Sequence, residues 1–203
     1  MNKNKILSTF NYQDNNIQNI YTYGSRVYKT NSDISDYDYI LISDFYENDF
    51  AIEKNNISIH IFSTTQFQNQ INDHKISALE CLFLDDSNIL KKDYQFNFVL
   101  NKSKLRSSIS EKSSHAWVKA KKKFEVEKDQ NFYIAKKSLF HSLRIIDFGL
   151  QIATYNKIID YSSSNDIWFD IATDPENNWD HYKNKYQNLF NEKMSEFRKV
   201  APK

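Results

Sequence analysis

This sequence of 203 residues contains a single cysteine, no long apolar run and no excess of one charge. The single cysteine, Cys81, excludes a disulfide within the chain and a zinc site built from several cysteines. Because Cys81 lies in the apolar segment 78–84, we expect it to be a small buried hydrophobic residue.

The lack of long apolar segments indicates where in the cell the protein is located. No run approaches the roughly 20 apolar residues that a transmembrane helix needs. No apolar signal segment follows the polar residues 1–5. We therefore expect a cytoplasmic protein that has no membrane partner.

Charge is balanced, with 27 Lys and Arg against 26 Asp and Glu and a net charge of +1. No overall basic field favours bulk binding of nucleic acid, so RNA stays open as a partner only through a local patch. Apolar residues make up 40% of the chain and aromatic residues 15%, which is sufficient for a real core. The length suits one large domain or two small ones.

Glycine is nearly absent, since the chain contains only Gly24 and Gly149. Gly24 follows the strand-like segment 20–23 and precedes Ser25. Glycine tolerates a positive φ and lets a ligand approach the backbone closely. Consecutive backbone N–H groups at such a turn can hold a phosphate.

Two aspartates, Asp36 and Asp38, lead into the apolar segment 37–42. Aromatic and β-branched residues predict a strand there, and alternation along a strand places both carboxylates on one face. Two charges 4 Å apart repel by about 4 kcal/mol at an effective dielectric of 20, and a divalent cation removes that conflict. The pair therefore favours metal-assisted phosphoryl or nucleotidyl chemistry, against the alternative of solvated aspartates in an ordinary turn.

Gly24-Ser25, ten intervening residues and then Asp36-x-Asp38, between strand-like segments, form a recognisable pattern. In residues 20–62 the chain resembles the nucleotidyltransferase superfamily with the DNA polymerase beta fold. That superfamily includes minimal nucleotidyltransferases, aminoglycoside nucleotidyltransferases, CCA-adding enzymes and poly(A) polymerases.

The resemblance implies a role for each motif residue. Gly24 and Ser25 would contact the phosphates of a nucleoside triphosphate, and Asp36 and Asp38 would hold Mg²⁺ or Mn²⁺. Arg26 is a further candidate for a phosphate contact, because its guanidinium group matches phosphate oxygens.

The superfamily usually supplies a third carboxylate from a neighbouring strand, and here that assignment is open. The candidate strand is 57–62, and the expected position carries His60. His60 could act as a general base for the acceptor hydroxyl, bind the metal, or be an ordinary strand histidine with a satisfied hydrogen bond. Glu53 could supply the carboxylate if the register differs. If neither does so, the site binds nucleotide but turns over slowly.

The order of elements predicts an α/β fold, with a nucleotidyltransferase-like domain over 1–105 and a helical bundle over 106–203. The first domain would contain a small mixed β-sheet flanked by helices. Its predicted strands are 20–23, 37–42, 57–62 and 96–100, with an acidic loop over 44–56. Thr64 or Thr65 would be the N-cap of a helix through Phe67 and Ile71, and 76–84 would be a helix or a buried strand. Helices are predicted over 110–124, 132–154 and 179–200 in the second domain.

Lys137, His141 and Arg144 share one face of the helix predicted over 132–154. Lys137 and Arg144 are therefore candidates for binding the nucleotide or an anionic acceptor. A solvated or ion-paired face, with Arg144 bound to Asp147, is the alternative.

A second basic face is predicted on the helix over 110–124, where it could follow a phosphate backbone with Trp117 stacking on a base. Solvated surface is the alternative. The basic residues of this face are Lys112, His115, Lys119 and Lys122.

Two further residues lie at unusual positions in the sequence. Glu80 lies in an apolar segment, where we expect either an acid–base group or a carboxylate paired with a residue such as Lys75. Gly149 lies in the middle of a predicted helix, where close helix packing is the favoured explanation.

The leading hypothesis is a metal-dependent nucleotidyltransferase. It would transfer a nucleoside monophosphate from a nucleoside triphosphate to a hydroxyl of an unidentified acceptor, which is a small molecule, RNA or protein, and release pyrophosphate. The alternative is a catalytically degenerate protein on the same fold, which binds nucleotide or RNA in a regulatory or partner role.

Overall fold

A computed structural model describes residues 1–45, 50–126 and 130–203. The chain divides into two compact units, Met1–Val99 and Leu100–Lys203. The first unit is an α/β sheet domain and the second is helical, so the predicted fold class is confirmed.

The sheet unit contains five strands in the order β3-β4-β2-β1-β5. β2 and β4 are parallel and the other pairs are antiparallel, which makes the sheet mixed. The elements are α1 (Lys3–Phe10), β1 (Asn19–Tyr23), α2 (Ser25–Tyr28), β2 (Tyr37–Ile42), β3 (Phe50–Lys54), β4 (Ile57–Phe62), α3 (Thr64–Asn72), α4 (Ile76–Leu82) and β5 (Ile89–Lys92).

Both faces of the central strands are covered, which explains their apolar sequences. On one face, α1 packs against residues that alternate along β1, β2 and β4. On the other face, Phe67 of α3 lies 5.8 Å from Tyr21 and 5.9 Å from Phe62, measured between ring centroids. The buried residues of the α1 face are Ile6, Leu7, Ile17, Ile20, Tyr39, Leu41, Ile57, Ile59 and Ile61.

The acidic loop predicted over 44–56 is wrong in part, because Phe50–Lys54 forms β3 at the edge of the sheet. β3 joins β4 through Asn55 and Asn56, whose φ angles are 53° and 59°. Two such residues form the tight turn that matches the twist of a hairpin. Residues 46–49 of the predicted loop lie outside the described residues.

The strand predicted over 96–100 is also wrong. The fifth strand is β5, which pairs with β1. Phe96 instead packs on Phe67, with ring centroids 4.9 Å apart, and covers the α3 face of the sheet. The segment 76–84, for which the sequence allows either a helix or a strand, contains the helix α4.

The helix predicted here is confirmed as α3, but the predicted N-cap is wrong, because Ser63 caps the helix and Thr64 is its first residue. The Ser63 hydroxyl accepts from the backbone of Gln66, and the Gln66 side chain accepts from the Ser63 backbone. This capping box satisfies two N–H groups at the start of the helix.

The helical unit contains α5 (Lys102–Glu125), α6 (Phe132–Tyr155), α7 (Asn165–Thr173) and α8 (Trp179–Val200). The helices predicted over 110–124, 132–154 and 179–200 are confirmed as α5, α6 and α8. α5 begins earlier than predicted, because the Asn101 side chain caps it by accepting from the Lys104 N–H. α7 has no counterpart among the predicted helices.

Gly149 marks close helix packing, as the sequence predicts. A Cβ atom added there would lie 2.9 Å from Ile109 of α5 and 3.0 Å from Phe197 of α8.

Cys81 is fully buried, as the sequence predicts, and this burial raises the pKa of its thiol well above the ordinary value. Across the described residues, none of the helices is both long and apolar enough to cross a membrane.

Candidate nucleotide and metal site

The turn at Gly24 leads directly from β1 into the short helix α2. Gly24 has φ 78° and ψ −151°, a backbone conformation that is essentially restricted to glycine. A Cβ atom added at Gly24 would overlap Oδ2 of Asp38 and lie 3.2 Å from the carboxyl carbon of that residue. The backbone conformation therefore favours glycine at this position, and a side chain there would displace the Asp38 carboxylate.

Strand pairing explains why this turn meets Asp38. In the antiparallel β1–β2 pair, Tyr23 lies opposite Asp38, so the chain leaves β1 where β2 begins. Asp36 is exposed and comes just before β2, while Asp38 is half-buried within it. The Gly-Ser turn and the two aspartates thus lie together, as the motif predicts.

The turn leaves backbone donors available beside these carboxylates. Val27 and Tyr28 donate to the Gly24 carbonyl at 3.0 and 3.4 Å. The first N–H groups of a helix have no acceptor within it, so those of Ser25 and Arg26 lie outside the hydrogen bonding of α2. Successive N–H groups of this kind suit an anion such as a phosphate.

Arg26 contacts the aspartate segment. Its Nε donates to the Asp36 carbonyl at 3.1 Å and its terminal nitrogen donates to the Ser35 carbonyl at 2.6 Å. The guanidinium carbon also lies 3.7 Å from the centre of the Tyr37 ring. These contacts hold the backbone of Ser35 and Asp36 in position, while the phosphate contact predicted for Arg26 stays a prediction.

Tyr28 anchors α2 from the other side. Its hydroxyl donates to Oε2 of Glu80 at 2.6 Å, and both residues are 2% exposed. Glu80 belongs to α4, so this buried contact ties the helix after the Gly-Ser turn to the rest of the unit. The sequence suggests an acid–base role for Glu80 or a pair with Lys75, and it does not single out Tyr28.

His60 lies on the same face of the sheet as Asp38, but further along. In the parallel β2–β4 pair, Asp38 lies opposite Ser58 and Ile40 lies opposite His60. The His60 ring stacks on Phe62 with centroids 4.2 Å apart. The strand position level with Asp38 therefore carries a serine.

Glu53 completes a row of residues across the sheet. It lies opposite Ser58 in the β3–β4 pair, and Ser58 lies opposite Asp38. Cross-strand neighbours share a face, and two strand spacings place the Glu53 and Asp38 backbones about 10 Å apart. The sheet thus brings a third carboxylate to this face from the edge strand β3, although the sequence pattern pointed to β4.

Asp36 and Asp38 are the predicted ligands of a metal ion at this site. The described ranges contain no group of three or more His, Cys, Asp or Glu residues that could hold a metal ion. Mg²⁺ typically takes one or two carboxylates together with the phosphates of a substrate. Asp36 and Asp38, beside a turn whose N–H groups suit phosphate, fit that mode.

Lys137 and Arg144 belong to the helical unit. Lys137 is half-buried, with its Nζ 6.0 Å from the Tyr133 ring. Arg144 is 4% exposed, and its guanidinium carbon lies 5.7 and 5.2 Å from the rings of Phe140 and Phe148. A fully solvated face is therefore wrong for Arg144, while nucleotide binding by Lys137 and Arg144 stays a prediction.

Asp147 and Trp117, two other residues that the sequence singles out, form contacts within the helical unit. The Asp147 carboxylate pairs with Lys193 at 2.6 Å and accepts from the Ser164 hydroxyl. Trp117, suggested as a base-stacking residue, packs within the helical core, with its ring centroid 4.7 Å from that of Phe190.

Comparison of the chain with protein-family models and with curated proteins finds no match.

Proposed function

We propose that this chain is a metal-dependent nucleotidyltransferase. It transfers a nucleoside monophosphate from a nucleoside triphosphate to a hydroxyl of an acceptor, and pyrophosphate leaves. The observation that carries this proposal is the close approach of the Gly24 turn to Asp38, where a side chain at Gly24 would displace the carboxylate, with Asp36 just before the same strand.

The turn would hold the phosphates. The N–H groups of Ser25 and Arg26 would donate to phosphate oxygens, and the absence of a side chain at Gly24 would let the phosphates approach a metal ion held by Asp38. Donors that are fixed before the substrate arrives need no reorganisation during the reaction.

Asp36 and Asp38 would hold Mg²⁺, or Mn²⁺ in its place. The ion would supply charge neutralisation for the carboxylates and for the triphosphate. Arg26 fixes the backbone of Asp36, and Tyr28 fixes α2 through Glu80, so both act as positioning residues. Positioning of this kind lets the acceptor hydroxyl attack the α-phosphorus in line.

Glu53 is the residue that we propose in place of the missing third carboxylate. It shares a cross-sheet row with Asp38, whereas His60 lies one row further along β4. A glutamate side chain is long enough to extend over Ser58 toward Asp38. His60 would then serve the acceptor side of the site as a general base or contribute to the aromatic packing at Phe62.

A transfer assay tests the proposal. Wild-type protein is incubated with each labelled nucleoside triphosphate, Mg²⁺ and candidate acceptors, which are small polyhydroxyl compounds, RNA and the protein itself. We expect pyrophosphate release together with a labelled acceptor, and loss of both in Asp36→Asn and Asp38→Asn. Asp33→Asn is the matched control, because Asp33 is an exposed carboxylate just before the motif. Equal transfer by the Asp36 and Asp38 variants and wild type would refute this mechanism.

A second candidate function is supported by Ser58. It occupies the strand position level with Asp38, where a catalytic carboxylate is absent. On this alternative the chain binds a nucleotide or RNA in a regulatory or partner role without transferring it. Metal-dependent nucleotide binding with no transfer to any acceptor is the result that would favour it.

A further inference from the structure

A cluster of basic residues lies where α5 and α6 pack together in the helical unit. The Ser113 hydroxyl of α5 donates to the Ser142 carbonyl of α6 at 2.8 Å, and Gly149 meets Ile109 further along. The two helices are therefore antiparallel, and this contact fixes which residues lie level with one another.

The register brings two basic faces together. Lys112 precedes Ser113 by one residue and is level with Arg144, while Lys119 lies two helical turns further along α5 and is level with Lys137. His141 lies between these two pairs. We call Lys112, Lys119, Lys137, His141 and Arg144 the His141 cluster.

The buried Nδ1 nitrogen of His141 has no hydrogen-bond partner. It is shielded from solvent and contacts no donor or acceptor within the part of the chain that the structure describes. A neutral imidazole carries one proton, and Nδ1 has no acceptor for it. The proton is then better placed on Nε2, which makes Nε2–H a donor.

Several cations surround His141. Burial is the main cause that holds the pKa of His141 well below its ordinary range, and four cations around it lower it further. Those cations are Arg144, Lys137, Lys119 and Lys112. Among the described residues, no carboxylate forms an ion pair with Lys112, Lys119 or Lys137.

We propose that the His141 cluster is a binding site for a phosphate oxyanion, either free phosphate or the phosphate group of a small molecule. Several cations around one point suit a compact group with more than one negative charge. The Arg144 guanidinium offers planar paired donors, and the lysines offer point charges, a combination that matches phosphate oxygens. The site is built from one unit alone and does not depend on the proposed transferase activity.

Pyrophosphate in EDTA is the first probe, because without a divalent metal it does not use the aspartate site. The full chain with Asp36→Asn and Asp38→Asn serves as the background, so that failure here and failure of the proposed function remain distinguishable. The measurements are calorimetric titration and the NMR signals of the His141 ring, which are assigned by their loss in His141→Gln.

We expect pyrophosphate to shift the His141 ring signals and to bind at least tenfold more weakly when Lys119→Gln and Lys137→Gln are combined. Lys121→Gln is the matched control, because Lys121 is an exposed lysine of the same helix whose Nζ lies 3.8 Å from Glu125. Unchanged ring signals, unchanged affinity in the double variant, or an equal loss in Lys121→Gln would overturn the proposal.

Further probes distinguish the source of the phosphate. Inorganic phosphate and AMP are titrated alongside adenosine. Tighter binding of AMP than of phosphate would identify a nucleotide phosphate, and equal binding would identify free phosphate. Adenosine that binds as well as AMP would contradict a phosphate site.

Discussion

Gly24 lies so close to Asp38 that a side chain at position 24 would displace the Asp38 carboxylate. A Cβ atom at Gly24 would overlap Oδ2 of Asp38 and lie 3.3 Å from the Asp38 Cβ. Antiparallel pairing of Tyr23 with Asp38 fixes this approach. A backbone turn with available N–H groups is thereby held against a carboxylate, which is the geometric core of the proposed function.

Gly24→Ala should disrupt both stability and nucleotide binding. The positive φ of 78° alone costs about 1–3 kcal/mol for a residue other than glycine, and the contact with Asp38 adds to that. Urea unfolding measures the loss of stability, and calorimetry measures binding of nucleotide with Mg²⁺. Gly149→Ala is the control, because its added Cβ meets Ile109 and Phe197 in the other unit. It should lower stability through overpacking while leaving nucleotide binding intact.

Arg26→Lys distinguishes positioning from phosphate contact. The guanidinium donates to the Ser35 and Asp36 carbonyls and lies over the Tyr37 ring, an arrangement that an ammonium group does not reproduce. We expect Arg26→Lys and Arg26→Gln to weaken Mg²⁺-dependent nucleotide binding about equally, each with a loss of stability of about 1 kcal/mol. Recovery of binding in Arg26→Lys alone would show that the charge itself contacts phosphate.

Glu53→Gln tests the proposed third carboxylate. The substitution removes a charge from the exposed edge strand β3 and keeps its size, so stability should change by less than about 0.5 kcal/mol. We expect the Mg²⁺ concentration needed for half-maximal transfer to rise about tenfold. His60→Gln should leave this metal dependence unchanged and lower only the rate. The opposite assignment follows if His60→Gln shifts the metal dependence and Glu53→Gln does not.

The lowered pKa of Asp174 predicts how the stability of the helical unit changes at acidic pH. Hydrogen bonds from His181, the Glu176 N–H and Lys185 hold the pKa of Asp174 well below its ordinary value. A lowered pKa in the folded state means that the stabilisation is complete above about pH 4, the unfolded value, and is lost as the pH falls below it. Asp174→Asn should therefore lower stability at pH 7 and flatten its decline below pH 4. A decline in stability as steep as that of wild type would show that other carboxylates cause most of the loss of stability in acid.

The sequence alone is sufficient to predict the helices and strands that have strong periodicity or apolar runs. The central strands β2 and β4 are covered on both faces, and α8 follows a break at Pro175, so their limits can be predicted. The edge strand β3 escapes prediction because it is short and most of its residues are exposed to solvent. The Asn55-Asn56 pair after it is the available signal, since two residues with positive φ form a hairpin turn.

The candidate site is only partly predictable for a different physical reason. The motif places Gly24, Asp36 and Asp38 together because strand pairing between neighbouring segments is local. The contact between Tyr28 and Glu80 joins residues 52 positions apart, and no spacing pattern encodes it. The role of Glu53 depends on the register of two strand pairs, which the sequence does not determine.

The most direct test of the central claim is calorimetric titration with non-hydrolysable analogues of ATP, GTP, CTP and UTP, with and without Mg²⁺. Wild type, the Asp36→Asn/Asp38→Asn double variant and the Asp33→Asn control are compared. We predict that Mg²⁺ adds a binding event for at least one analogue, that the double variant loses this Mg²⁺-dependent binding and that the control retains it. Absence of Mg²⁺-dependent binding for every analogue, or equal Mg²⁺-dependent binding in the double variant, would contradict a nucleotide and metal site at Gly24, Asp36 and Asp38.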